Sequence, residues 1–229
     1  MQRAILEALQ AARARARAVV LVTPLDGTAQ RLLGSEDLHG LPPELAAAVR
    51  TALATDRAAV LSLDGIDCLL SPWNPPLRLV VVGAVHIAES LCRMASLAGY
   101  AVTVVDPRAA FLRPERFPDV TLDGDWPQQA FARLRPDARS AVVLLTHDPK
   151  IDDPALECAL ASPAFYIGAL GSTRTHARRL ERLGALGHTQ ESLARIHGPA
   201  GLPIGARTPA EIAVSVLAQM TQVLRTVAT

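Results

Sequence analysis

Lysine is nearly missing from this chain of 229 residues: Lys150 is the only one, and arginine carries the rest of the side-chain positive charge. Neither sign of charge is in excess, with 23 basic against 22 acidic residues and a formal net charge of +1. Such a balance gives no whole-protein field for nucleic acid or an anionic membrane. The arginines are scattered, which fits a coding bias better than a dedicated anion surface, although guanidinium is the better bidentate partner for phosphate or carboxylate. Aromatic residues are only 3% of the chain, so aliphatic side chains must fill the core. No apolar run approaches the roughly 18 residues of a membrane-spanning helix. The stretch MQRAILEALQAARARARAVV lacks the apolar centre and cleavage site of a secretory signal. It reads as a surface helix running into a strand, and the protein is expected in the cytoplasm. Cysteine is scarce as well: Cys68, Cys92 and Cys158 are far apart and without a CxxC. That argues against a disulfide framework and a structural zinc site.

Proline marks the join between two regions. Ser71-Pro72-Trp73-Asn74-Pro75-Pro76 holds three prolines in six positions, which no helix or central strand is expected to tolerate. The boundary therefore falls at residues 74 and 75, giving a small α/β domain over 1–74 and a second domain over 75–229. In the first, a helix near 2–16 leads to a strand at 18–22. A helix then follows Pro42-Pro43, and strands near 58–62 and 66–70 flank the hairpin signal Asp64-Gly65. In the second, apolar runs at 77–82, 101–106, 140–145 and 164–168 read as buried strands, with a weaker strand at 119–122. Helices are expected over about 86–98, around 111–116, over 127–134, after Asp153-Pro154, over 173–186 and from Thr208 to about 226. The last opens with Thr208-Pro209-Ala210-Glu211, a capping box with proline at the first helical position. The alternation of strands and helices implies a doubly wound parallel sheet.

Ligands of such sheets bind outside the carboxyl ends of the strands. The first of these loops, Gly83-Ala84-Val85-His86-Ile87-Ala88, stands where a GxGxxG/A fingerprint would, but Val85 replaces the middle glycine. It supports the fold better than it supports a dinucleotide, because a β-branched side chain obstructs a pyrophosphate. Asp106 ends the next strand at the spacing of a ribose acceptor, with a turn through Pro107 and Arg108 as the plainer use. The loop Thr146-His147-Asp148-Pro149-Lys150-Ile151-Asp152-Asp153 could transfer protons or bind a cation, with Asp153 read as the cap of the following helix. Gly168-Ala169-Leu170-Gly171-Ser172-Thr173-Arg174 offers glycines, hydroxyls and an arginine ahead of a helix, a ready anion site. Arg178, Arg179 and Arg182 continue along that helix as a mostly solvated face. A last loop, 197–207, ends in Arg207, which could close over the crevice. His86, His147 and His197 sit in different loops with no HxH, HxxxH or HExxH pair, so no metal site is expected.

Six blocks in this order resemble the XdhC/CoxI family: GAVHIA (83–88), GYAVTVVDPR (99–108), RFP (116–118), THDPKIDDPAL (146–156), FYIGALGS (165–172) and HGPAGLPIGARTPAEIAVS (197–215). These are accessory proteins of molybdenum hydroxylases such as xanthine dehydrogenase and carbon monoxide dehydrogenase. The resemblance implies a Rossmann-like domain behind a small N-terminal domain. It also implies a chaperone that binds the molybdenum cofactor, as molybdopterin or its cytosine dinucleotide, and delivers it to the apoenzyme. Read together with the strand-end loops, it places the expected cofactor contacts on Gly83, Ala84, Val85, His86, Asp106, Arg108, His147, Asp148, Gly168, Gly171, Ser172, Arg174 and Arg207. No catalytic residue is expected, and partners would be the hydroxylase apoenzyme, a cysteine desulfurase and a second copy of the chain. Two departures stand out. Family members often have GAGH where this chain has GAVH, and residues 1–70 lack the GGC segment of fuller members, with Cys68 their only cysteine. Cys92 and Cys158 fall on helices as small buried apolar residues. The competing expectations are an NAD(P)-dependent oxidoreductase using His147 or Lys150, and a non-catalytic module that only recruits a partner.

Overall fold

Period-two apolar patterning builds the first sheet. The computed structural model describes residues 2–226, and the chain divides between Pro75 and Pro76 into two compact units. Residues 1 and 227–229, the outermost of the two predicted domains, lie outside the described residues. The first unit contains α1 (Arg3–Ala14), β1 (Val19–Pro24), β2 (Arg31–Leu33), α2 (Pro43–Thr55), β3 (Ala59–Leu63) and β4 (Ile66–Trp73). The strands form an antiparallel sheet in the order β2-β1-β4-β3. Val20, Val22 and Leu70 turn to one face and pack under Leu45, Val49 and Ala52 of α2, whereas Val19 on the other face meets Leu9 and Ala12 of α1. Asp64 and Gly65 both take positive φ, +51° and +83°, as a two-residue hairpin turn requires.

One expectation about proline fails here. Strand β4 does not stop before the proline cluster but runs through Pro72 to Trp73, and β2 was not foreseen. The register gives the reason. Strand β3 pairs with β4 only as far as Leu70, while β1 continues along it to the pair Val19 and Trp73. Past Leu70 the strand is an edge on one side, where proline is tolerated.

The second unit is a six-stranded parallel sheet built from β5 (Arg78–Val82), β6 (Ala101–Val105), β7 (Thr121–Asp123), β8 (Ser140–Leu144), β9 (Tyr166–Ala169) and β10 (Ile196–His197), in the order β10-β9-β8-β5-β6-β7. The chain travels outward from β5 through β6 and β7, then returns to β8 on the other side of β5. That reversal is the topological switch point of a doubly wound sheet. Helices α3 (His86–Leu97) and α8 (Pro209–Thr226) cover one face, where Leu79, Val81, Val104 and Val143 meet Leu91, Ala95, Val216 and Met220. Helices α4 (Pro127–Leu134), α5 (Pro149–Leu160), α6 (Thr173–Ala185) and the short α7 (Gln190–Leu193) cover the other. There Val80, Val82, Val142 and Leu144 meet Phe131, Leu156, Leu183 and Leu193. Two covered faces explain why the strands read as unbroken apolar runs rather than alternations.

Three local expectations are corrected. The segment around 111–116 is two 3₁₀ turns, Ala109–Phe111 and Pro114–Arg116, rather than a helix. Helix α5 starts at Pro149 and not after Asp153-Pro154; the cap is Asp148, whose carboxylate accepts from the Lys150 N–H at 3.0 Å. Asp153 lies in the second turn and is held by Arg182 of α6 at 2.7 and 2.8 Å. Helix α7 and strand β10 were not foreseen. The capping box of α8 is present, with Thr208 Oγ1 accepting from Glu211 N and Glu211 Oε2 accepting from Thr208 N.

Candidate functional site

The switch point brings the loops after β5, β6 and β8 against one another. Gly83 takes φ +108°, and a Cβ there would lie 2.5 Å from the Thr146 methyl, so the first and third loops touch and only glycine fits. Helix α3 begins immediately beyond, with Val85 as its N-cap and no side chain accepting from its first N–H groups. Its N-terminus is thus an uncapped donor set carrying the positive end of the helix dipole. Val85 is half-buried and packs against the core beneath α3, while His86 is exposed.

Asp106 is fully buried at the end of β6. Its Oδ2 accepts from Ala84 N at 2.8 Å and from Arg108 Nη2 at 2.7 Å; its Oδ1 accepts from Arg108 N and Nε at 3.0 and 2.9 Å. Burial pushes the carboxyl pKa up, but the hydrogen bonds from Arg108 and Ala84 outweigh it and hold the group below the ordinary carboxylate value. Both oxygens therefore face the protein: Asp106 ties the first loop to the second and orients Arg108. The Arg108 guanidinium lies over the Phe111 ring, 4.5 Å from its centre. The 3₁₀ turns are tied to α3 in their turn, because Arg116 donates to Glu89 Oε1 at 2.9 and 2.7 Å.

The loop after β8 carries a second buried carboxylate. Asp152 is 3% exposed, accepts a hydrogen bond from the Thr146 hydroxyl, and stands 3.6 Å from Arg179 Nη2. Burial pushes its carboxyl up to about 6, against the opposing pull of Thr146 and Arg179. Arg179 is 2% exposed, which overturns the expectation of a solvated arginine face for that residue. The error has a visible source. Arg179 precedes Leu183 by one helical turn and shares its buried face, just as Asp152 precedes Leu156 on α5. His147, exposed, and Asp148, half-buried, sit at the mouth of this loop.

After β9, Gly171 takes φ +141°, and a Cβ there would come within 3.1 Å of Thr175. Ser172 caps α6, accepting from Thr175 N at 3.1 Å, and Arg174 is exposed. Gly168 serves packing: a Cβ would strike the Tyr166 ring, on which His197 stacks at 4.8 Å between centres. Tyr166 in turn donates to Gln219 Oε1 at 2.6 Å, so Gly168 and His197 belong to the core beside α8. Arg207 is exposed, and its backbone N–H completes the α8 cap on Glu211. Gly83, Ala84, Asp106 and Arg108 thus form one network, and Thr146 joins it to His147 and Asp148. Among the described residues no group of three or more His, Cys, Asp or Glu could hold a metal ion, and no helix is long and apolar enough to cross a membrane.

Several known proteins share this sequence in part. The Escherichia coli K12 protein YqeB is 32% identical over 216 residues, 91% of this chain and 39% of that protein. The molybdenum cofactor insertion chaperone PaoD of the same strain is 32% identical over 66% of this chain and 41% of its own. A Bacillus subtilis 168 protein, named as a probable xanthine dehydrogenase subunit, is 33% identical over 68% of this chain and 45% of its own. The chain therefore spans less than half the length of these curated relatives. A crystal structure from Bacillus halodurans described as a xanthine dehydrogenase superposes with a TM-score of 0.73 over 98% of this chain and 65% of that one, at 23% identity, a likeness of fold. The XdhC Rossmann domain matches residues 79–220, from β5 into α8 and across all the loops described above, and the chain belongs to that family.

Proposed function

We propose that this chain is an accessory protein that holds a phosphorylated pterin of the molybdenum cofactor type and passes it to a molybdenum hydroxylase apoenzyme. The observation that carries this reading is the uncapped N-terminus of α3 at the switch point, where free N–H groups and the helix dipole suit a phosphate. The likeness to PaoD, whose name states such an insertion role, supports it. In this reading the backbone N–H groups of Val85 and His86 at the start of α3 take a phosphate, since those of Gly83 and Ala84 already donate to Val105 O and Asp106, and Arg108 stands by as a cation already aimed by Asp106. The loop Gly171-Ser172 with Arg174 supplies further donors, and His147 closes the edge of the crevice. Asp106, which offers no outward oxygen, positions the loop rather than meeting the guest. A carrier must bind and release, so the arrangement needs no proton-transfer step. The partners in this reading are the apoenzyme, a cysteine desulfurase and a second copy of the chain, in the cytoplasm.

The test is equilibrium dialysis against molybdopterin and against its cytosine dinucleotide. Stoichiometric retention is expected, and retention no greater than that of a control protein removes the reading. Gly171→Val separates carrier from recruiter. Its positive φ and the nearness of Thr175 mean a carrier should lose cargo while keeping the apoenzyme, whereas a recruiter should lose neither. The nicotinamide reading has less support, because an oxidoreductase would need a ribose acceptor where Asp106 already bonds inward.

A further inference from the structure

The first turns of α6 carry an arginine whose hydrogen bonding is incomplete. Arg179 donates from Nη2 to Leu170 O at 2.9 Å and stands 3.6 Å from Asp152, but its Nε and Nη1 are buried with no partner among the described residues. A buried guanidinium with unmet donors is costly, and proteins retain such groups where something else meets them. Arg179 lines a cleft of about 150 Å³ shared with His147, Pro149, Asp152, Thr175, Arg178 and Arg182. A cleft of that size holds several waters and admits a small tetrahedral anion such as a phosphoryl group. The charges favour an anion. Arg182 is matched by Asp153, which leaves Arg178 and Arg179 against Asp152 alone.

We propose that this cleft, on the flank of α6, is an oxyanion site that takes a phosphoryl group, free or as a phosphate monoester, on Arg179 with Arg178 at its rim. A guanidinium presents paired N–H groups to two oxygens of such an anion, the geometry that lysine cannot reproduce. The site is distinct from the α3 terminus and does not depend on a pterin guest.

Inorganic phosphate titrated into the full chain at fixed ionic strength tests this, followed by calorimetry and by the ¹⁵N–¹H signals of the arginine Nε groups. Saturable binding that moves the Arg179 signal is expected, with chloride without effect. Arg178→Ala, at an exposed position, should weaken binding roughly ten-fold, a loss of one charge-assisted contact. Arg179→Met should abolish it; if that variant does not fold, Arg178→Ala and the Arg179 signal decide. A nucleoside monophosphate that binds tighter than phosphate identifies a monoester as the ligand, and equal affinity identifies the free anion. No saturable binding, or binding indifferent to Arg178→Ala with an unmoved Arg179 signal, overturns the proposal. Phosphate binding without pterin retention would keep this site and remove the cargo reading.

Discussion

Two buried aspartates at the same edge of the sheet, each beside an arginine, titrate in opposite directions. Asp106 has four hydrogen bonds from Arg108 and the neighbouring backbone and is held below the ordinary carboxylate value. Asp152 accepts from the Thr146 hydroxyl and has an arginine 3.6 Å away; burial wins and its carboxyl rises to about 6. The difference lies in the completeness of hydrogen bonding together with the deeper embedding of Asp152, which raises its desolvation penalty. On the β5–β6 side the Asp106 and Arg108 side chains are closed on themselves and fix the loops, leaving the backbone N–H groups at the start of α3 as the open donors. On the β8–β9 side it is a side chain, Arg179, that keeps unmet donors among the described residues.

Four experiments sharpen or break this contrast. The largest effect should come from Asp106→Ala, which strands the Ala84 N–H and the Arg108 guanidinium; a loss of about 3–5 kcal/mol is expected in thermal or denaturant unfolding. Gly83→Ala should cost about 2–4 kcal/mol from positive φ and the collision with the Thr146 methyl. Thr146 cannot swing aside without releasing Asp152, so Thr146→Ser in the same chain should restore part of the loss.

The third experiment is a pH profile of stability. The folded value of Asp152, about 6, exceeds its unfolded 3.8, so its contribution is fully present below about pH 4 and is lost as pH rises towards 6. For Asp106 the sign is reversed: its contribution is present above the unfolded value and is lost as pH falls through the lower folded one. Asp152→Asn, which resembles the protonated acid, should match the parent near pH 4 and be more stable at pH 7 by up to about 3 kcal/mol. A variant that is less stable at both pH values would show the Asp152 carboxylate to be as well satisfied as that of Asp106. The smallest effect concerns thiols. Cys92 is buried and pushed up to about 12, whereas Cys158 is only half-buried. A thiol reagent should therefore label Cys158 first in the native chain, as read by mass spectrometry.

Much of the fold was legible in the residues. Unbroken apolar runs located β5, β6 and β8, and Thr208-Pro209-Ala210-Glu211 located the start of α8, because burial on two faces and helix capping leave local signatures. The Asp-Pro pair misled because it occurs twice in the segment after β8. Asp148-Pro149 and Asp153-Pro154 carry the same cap-and-first-turn signal, and only packing of Ile151 and Asp152 into the core selects the earlier one. At the site, spacing located Asp106 but not its use, which Arg108 determines by bonding both oxygens. Arg179 went unrecognised because charge outweighed position: one turn before Leu183 it had to face inward, whatever its type. Strand β10, two residues long, has no pattern of its own and exists because β9 offers it an edge.

The most direct test of the account is native mass spectrometry of the chain purified from cells that make molybdenum cofactor. A carrier with an open donor set at α3 should retain a pterin phosphate, with loss of that mass in Gly171→Val and no change in Cys158→Ala. A bare chain, or an adduct that survives Gly171→Val unaltered, would contradict it.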